Sequence, residues 1–177
     1  MKVLLVIDRL GPGGKERRFT ELTRELQNRN EVSFEIVIMD NYIHYKEINS
    51  LGVNIHRVLR SSRKDLSVYK KLWNVLADYK PDMVHCWESM TAVYLAPLCR
   101  LRNIPLINGM VTNVPVPPLV LNYHWRRAKL TFPLSDVIVG NSTAGLKAYG
   151  APSKKSKVIY NGFNFDRLNG IADKAMI

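Results

Sequence analysis

Short apolar runs rich in valine and isoleucine alternate along this chain with longer segments in which apolar residues recur at helical spacing. The runs predict strands over residues 3–8, 33–39, 54–59, 83–87, 106–110, 137–140 and 157–160. Helices are predicted between them, over 15–28, 66–79, 89–101, 121–132 and 143–149, with Phe19, Leu22 and Leu26 as the apolar stripe of the first. Strands that are apolar at consecutive positions are buried on both faces, and helices between them join them in parallel. The predicted fold class is therefore α/β, a Rossmann-like three-layer domain with a mostly parallel sheet. Pro81, Pro105 and Pro152 agree with this division, because each stands before a strand or in the loop leading to one, where it interrupts no helix.

Composition adds bounds to that pattern. A chain of 177 residues, 46% of them hydrophobic, has material for one globular core. Cys86 and Cys99, thirteen positions apart, are too few for a disulfide scaffold, which points to reduced thiols and a cytoplasmic protein. The run 3–7 is broken by Asp8 and Arg9 before it reaches the length of a signal-peptide core, and no run approaches the roughly 18–20 apolar residues of a membrane-spanning helix. The net charge is +11, and from Leu101 onward ten Lys and Arg face only three Asp and Glu, a field that favours an anionic partner.

Candidate chemistry begins at Gly11-Pro12-Gly13-Gly14-Lys15, between the first strand and the first helix. Glycines there let the backbone approach a phosphate or sugar, and the free N–H groups of a helix start attract an anion. The motif is not a P-loop, for Lys15 lacks both the glycine frame before it and a Ser or Thr after it. It is also a poor dinucleotide fingerprint, with Glu16 where a third glycine belongs, although Asp40 at the end of the second strand is a candidate ribose ligand. A nucleotide- or dinucleotide-binding Rossmann domain is thus one alternative reading, and a tight turn without ligand another. Trp87 and Glu88, with His85, end the fourth strand on the edge where ligands collect; they suit sugar recognition by stacking and hydrogen bonding, or simple packing and helix capping. His44, His56, His85 and His124 show no metal-ligand spacing, so no metal is expected.

A second constellation lies at the other end: Val137-Ile138-Val139-Gly140-Asn141-Ser142, then Gly150-Ala151-Pro152, then Lys157-Val158-Ile159-Tyr160-Asn161-Gly162-Phe163-Asn164. Together with Gly13-Gly14, the following Glu16-Arg17-Arg18, and the strand entry Lys80-Pro81-Asp82-Met83-Val84-His85, this order closely resembles the N-terminal domain of family 4 glycosyltransferases of the GT-B fold. The resemblance spans nearly the whole chain. It implies one half of a GT-B fold: residues 1–163 as the acceptor-binding domain, 164–177 as the start of a linker, and a C-terminal donor domain that is absent. It further implies transfer of a hexose-like sugar from a nucleotide sugar to a glycan or lipid-linked acceptor, with retention at the anomeric carbon and no cofactor, in cell-surface polysaccharide synthesis.

By position the resemblance gives Gly13 and Gly14 the side facing the donor diphosphate, where Lys15 and Arg17 add charge. Trp87, Glu88, Asn108, Gly109, Asn113, Asn141, Ser142 and Asn161 are then the candidates for the acceptor. Many members carry a histidine near the end of the fifth strand; here Asn108-Gly109-Met110-Val111-Thr112-Asn113 has none, and Asn108-Gly109 also fits a turn. The family's Glu-x7-Glu pair belongs to the donor domain, and no Glu follows Glu88, so no catalytic residue is expected here and this piece alone is expected to be inactive.

Basic residues gather at Arg60, Arg63, Lys64, Lys70 and Lys71, at Arg126, Arg127 and Lys129, and at Lys154, Lys155 and Lys157. Any one group reads as solvated surface, but the three together, with Trp125 and the apolar stretch 119–121 adjoining the second, suggest peripheral contact with an anionic membrane at its inner face. A nucleic-acid module is the competing class, supported by charge alone, since no recognised RNA or DNA motif accompanies it.

Overall fold

A computed structural model of the chain describes residues 1–62, 65–110 and 117–162. Seven strands form one sheet in the order β3-β2-β1-β4-β5-β6-β7, all parallel: β1 (Lys2–Ile7), β2 (Ser33–Ile38), β3 (Ile55–Arg57), β4 (Met83–Cys86), β5 (Leu106–Met110), β6 (Val137–Gly140) and β7 (Ser156–Val158). Five α-helices connect them: α1 (Gly14–Arg29), α2 (Ser67–Tyr79), α3 (Ser89–Arg102), α4 (Tyr123–Thr131) and α5 (Thr143–Ala148). The predicted helix 121–132 divides into a 3₁₀ turn over Leu119–Leu121 and α4, because the Asn122 side chain accepts the Trp125 N–H and restarts the helix there. Asn108-Gly109 lies inside β5 and is not a turn.

Register decides which helices share a side. Leu5, His85, Ile107 and Val137 stand opposite one another across four strands, so they face one way. Leu5 packs with Phe19 of α1, which makes this the α1 side. Cys86, Asn108 and Ile138 face the other way, into the layer built by α2, α3, α4 and α5. Among the described residues α1 is the only α-helix on its side, and it covers β1 and β2. The neighbouring face over β4, β5 and β6 is left half-buried at Met83, His85, Ile107, Val137 and Val139.

The fully buried stripe of α1 is Glu16, Phe19, Thr20 and Thr23; of the predicted Phe19, Leu22 and Leu26, Phe19 belongs to it and Leu26 packs half-buried against the same core, while Leu22 does not. Hydroxyls enter this stripe without penalty because Thr20 donates to the Glu16 carbonyl (3.0 Å) and Thr23 to the Thr20 carbonyl (2.9 Å). Leu22 is thereby turned toward the open part of the sheet. Pro97 stands inside α3 and cannot donate to the carbonyl of Val93; the Tyr69 hydroxyl of α2 donates to that carbonyl instead (3.4 Å).

Gly109 is where β5 passes closest to its neighbour. A Cβ at this position would stand 2.7 Å from the Cys86 carbonyl oxygen and 3.4 Å from the Trp87 Cα, and backbone cannot step aside as a side chain does. Gly109→Ala is expected to lower stability by about 1–3 kcal/mol, read as a lower urea midpoint, and an unchanged midpoint would show that β4 and β5 separate freely.

Candidate functional site

Strand order reverses between β1 and β4, and in an open parallel sheet the crevice outside the strand carboxyl ends opens at such a point. Asp8 follows β1 there, Glu88 follows β4, and the Gly13-Gly14 turn with the first turn of α1 stands over both. Lys15 Nζ reaches Glu88 Oε2 at 2.5 Å and Glu16 Oε1 at 3.4 Å, with these side chains only 10–18% exposed. From the other flank Arg60 holds Asp8 at 2.6 Å.

Two carboxyl groups are thus forced together. Burial, and then Glu88 beside it, push the Asp8 carboxyl up to about 6, with Arg60 and Lys15 opposing this only in part. Glu88 Oε1 is buried without a protein donor. On the far side of Glu88, the buried Ser89 hydroxyl pairs with His124 Nδ1 at 3.0 Å. Burial lowers the His124 pKa, and Arg127 and Lys15 lower it further. Asp8, Arg60 and His124 were not legible as site residues; only the register of β1 on β4 and the return of α4 bring them here.

Beside this cluster a groove of about 210 Å³ runs over the uncovered sheet face, lined by Arg18 and Leu22 of α1, His85, Trp87, Gly109, Val139, Asn141 and the segment Ile159–Gly162. Trp87 packs edge-on against Phe19, with ring centroids 5.4 Å apart at 87°, and its indole N–H is buried without a protein acceptor. An unpaired buried donor is costly unless a ligand or water meets it. His85 is pushed down to about 4 by burial and stays neutral at physiological pH.

The candidates drawn from the sequence therefore divide. Trp87, Gly109, Asn141 and Asn161 share the groove. Gly14 is exposed, with no atom within 4 Å of where its Cβ would be, whereas a Cβ on Gly13 would collide with the Glu16 carboxylate. Lys15 is not free to meet an anion and Glu88 is not free to meet sugar hydroxyls, since they hold each other. Arg17 has no acidic partner among the described residues, and Arg18 lines the groove with its Nε on the Gly14 carbonyl (3.0 Å), so these two carry the available charge. Asn108 is fully buried on the opposite side of the sheet, where its amide donates to Thr131 and Ser135 at 3.1 Å, which removes it from any ligand. Ser142 caps α5 by accepting the Gly145 N–H at 3.0 Å and is likewise occupied. Asn113 lies outside the described residues. A larger cavity of about 530 Å³, lined in part by Arg100, Asp136 and Lys155, lies at the other end of the strands.

No group of three metal-binding side chains occurs among the described residues. Cys86 and Cys99 are free buried thiols, both pushed up to about 12 by burial. No described helix is long and apolar enough to cross a membrane.

The raised Asp8 carboxyl has a definite consequence for stability. Between its ordinary value of 3.8 and about 6 the native chain holds a proton that the unfolded chain has released. Its contribution is fully present below pH 4 and is lost as pH rises through 6. Relative to the parent, Asp8→Asn is expected to gain about 2–3 kcal/mol on going from pH 4 to pH 7, read from paired urea melts. Parallel melts at the two pH values would show that Asp8 ionises normally.

Comparison with known proteins agrees with this fold. Anabaena HepE, solved with UDP-glucose, is 17% identical, with a TM-score of 0.73 over 94% of this chain and 45% of that one. The lipopolysaccharide outer core galactosyltransferase WaaB in its apo form is 13% identical, with a TM-score of 0.72 over 93% of this chain and 47% of that one. The UDP-GlcNAc 2-epimerase of Neisseria meningitidis, bound to UDP-GlcNAc, is 19% identical, with a TM-score of 0.64 over 89% and 46%. This chain spans slightly under half the length of each. No curated protein sequence matches it. The sequence profile of Glycosyltransferase Family 4 matches residues 12–167, and the chain belongs to that family.

Proposed function

We propose that this chain is the acceptor-side wall of a nucleotide-sugar-dependent, anomer-retaining and metal-independent glycosyltransferase acting on a glycan or lipid-linked acceptor in cell-surface polysaccharide synthesis. The observation that carries the reading is the open Gly14 turn beside a sugar-sized groove with an unpaired indole N–H. The first turn of α1 presents unpaired backbone N–H groups and the positive end of the helix dipole, and Arg17 adds a full charge. These groups suit a diphosphate. Trp87, Asn141 and Asn161 suit the hydroxyls and the apolar face of a sugar ring. Lys15 and Glu88 position the turn rather than touch substrate.

The donor half of the cleft belongs to a second domain in this reading, supplied downstream or by another chain. Closure of such a cleft excludes water and orients donor against acceptor, which half a cleft does not do. Residues 1–177 assayed with a panel of nucleotide sugars and acceptors are expected to give no turnover, with transfer appearing when the donor domain is supplied. Turnover by residues 1–177 alone would contradict the division of labour.

The Asp8–Glu88 pair favours one second reading, acid–base chemistry on a nucleotide sugar as in an epimerase, because a carboxyl pushed up to about 6 exchanges protons near neutrality. Acceptor-dependent product against acceptor-independent epimer separates the two.

Gly14 gives the sharper test. Its would-be Cβ meets open space, so Gly14→Asp is tolerated by the fold but sets a carboxylate where the diphosphate approaches. In the complete enzyme this substitution is expected to reduce transfer by roughly 100-fold or more while leaving the thermal midpoint within a few degrees. Full activity would remove the turn from the site.

A further inference from the structure

The outward face of α4 combines features that the crevice does not explain. Of eleven large hydrophobic side chains exposed among the described residues, four lie within residues 120–130: Val120 (64% exposed), Leu121 (76%), Tyr123 (58%) and Leu130 (62%). Tyr123, Arg126 and Leu130 follow helical spacing along one stripe, opposite the inward stripe of His124, Ala128 and Thr131. Arg127 lies over the Tyr123 ring at 4.9 Å, and Arg126 and Lys129 are exposed. No acidic residue occurs in the sequence between Asn103 and Ser135.

We propose that this face, the 3₁₀ turn 119–121 with the outer stripe of α4, is a docking surface for an anionic lipid bilayer. Apolar side chains flanked by arginine suit the boundary between headgroups and acyl chains, where aliphatic groups insert, tyrosine sits with its hydroxyl in the wet layer, and the cations reach the phosphates. A second copy of the chain fits poorly. A two-fold contact would set Arg126, Arg127 and Lys129 against themselves with no carboxylate to separate them. Other basic groups lack this combination: Arg60 is held by Asp8, Lys155 is bound to the carbonyls of Pro133 and Ser135, and Lys71 to that of Leu59. Arg63 and Lys64 lie outside the described residues. Trp125, the aromatic anchor expected from sequence, packs inward against α4's own core; Tyr123 takes the outer position.

The docking surface adjoins the crevice, since His124, next to Tyr123, contacts Ser89 beside Glu88. A membrane seated on α4 would therefore bring an amphiphilic acceptor to the site's edge. That consequence rests on the transferase reading; the docking does not.

Flotation of the chain with phosphatidylcholine vesicles containing about a third phosphatidylglycerol tests the surface directly. Binding is expected to the anionic vesicles and not to pure phosphatidylcholine, with each basic residue at the surface contributing about five-fold to the partition coefficient. Arg126→Glu and Leu121→Ser are each expected to weaken it more than ten-fold, whereas Lys70→Glu on exposed α2, with the same charge change as Arg126→Glu, weakens it less than three-fold. Circular dichroism confirms that each variant is folded. Equal losses in Lys70→Glu and Arg126→Glu would mean diffuse attraction without a docking face, and an unaffected Leu121→Ser would mean no insertion; either overturns the proposal. So would absence of vesicle binding, or concentration-dependent self-association that Leu121→Ser abolishes.

Discussion

The contact between Lys15 and Glu88 ties the glycine-rich turn to the end of β4, and the candidate site depends on it. Strand order alone would bring Asp8 and Glu88 together at the switch point, where two buried carboxylates repel. Lys15 and Arg60 approach from opposite flanks and offset that repulsion only in part, so Asp8 holds its proton up to about pH 6. The same arrangement fixes the start of α1, so that Gly14 projects into open space and the first N–H groups of the helix face outward. Binding potential arises here because the internal charges satisfy one another and leave Arg17 and Arg18 for whatever approaches.

The second determinant is incomplete coverage. α1 shields β1 and β2 only, so His85, Trp87 and Val139 line a groove on the remaining sheet face. On the opposite side α2, α3, α4 and α5 close the layer, and Asn108 disappears into it with its amide bound to Thr131 and Ser135. Alternate residues of one strand thus have opposite fates: Asn108 is structural and Gly109 lies at the groove.

All seven strands were legible, because consecutive apolar positions admit little besides doubly buried strands; β5 and β6 have the predicted limits and the others shift by one or two residues. The Gly13-Gly14 turn, Trp87 and Asn141 were also legible, since each follows a strand end. Pairing was not. Nothing local in the sequence says that Lys15 is held by Glu88, whereas the capping of α5 by Ser142 is a local signal, a serine just before a predicted helix. Asp8, Arg60 and His124 enter the site through register and chain return, which are long-range properties. The inward stripe of α1 was legible at Phe19 and Leu26 but not at Thr20 and Thr23, because threonines bonded to their own helix bury as readily as leucine.

The central claim is that the crevice at the β1–β4 switch point, and not the larger cavity at the other end of the strands, meets the nucleotide sugar. Hydrogen exchange on the complete enzyme, with and without a nucleotide sugar, measures this residue by residue. Slowed exchange at residues 13–18 and 85–89, with residues 99–105 and 133–136 unchanged, is the predicted result. Protection confined to the residues around Arg100 and Asp136 would contradict it.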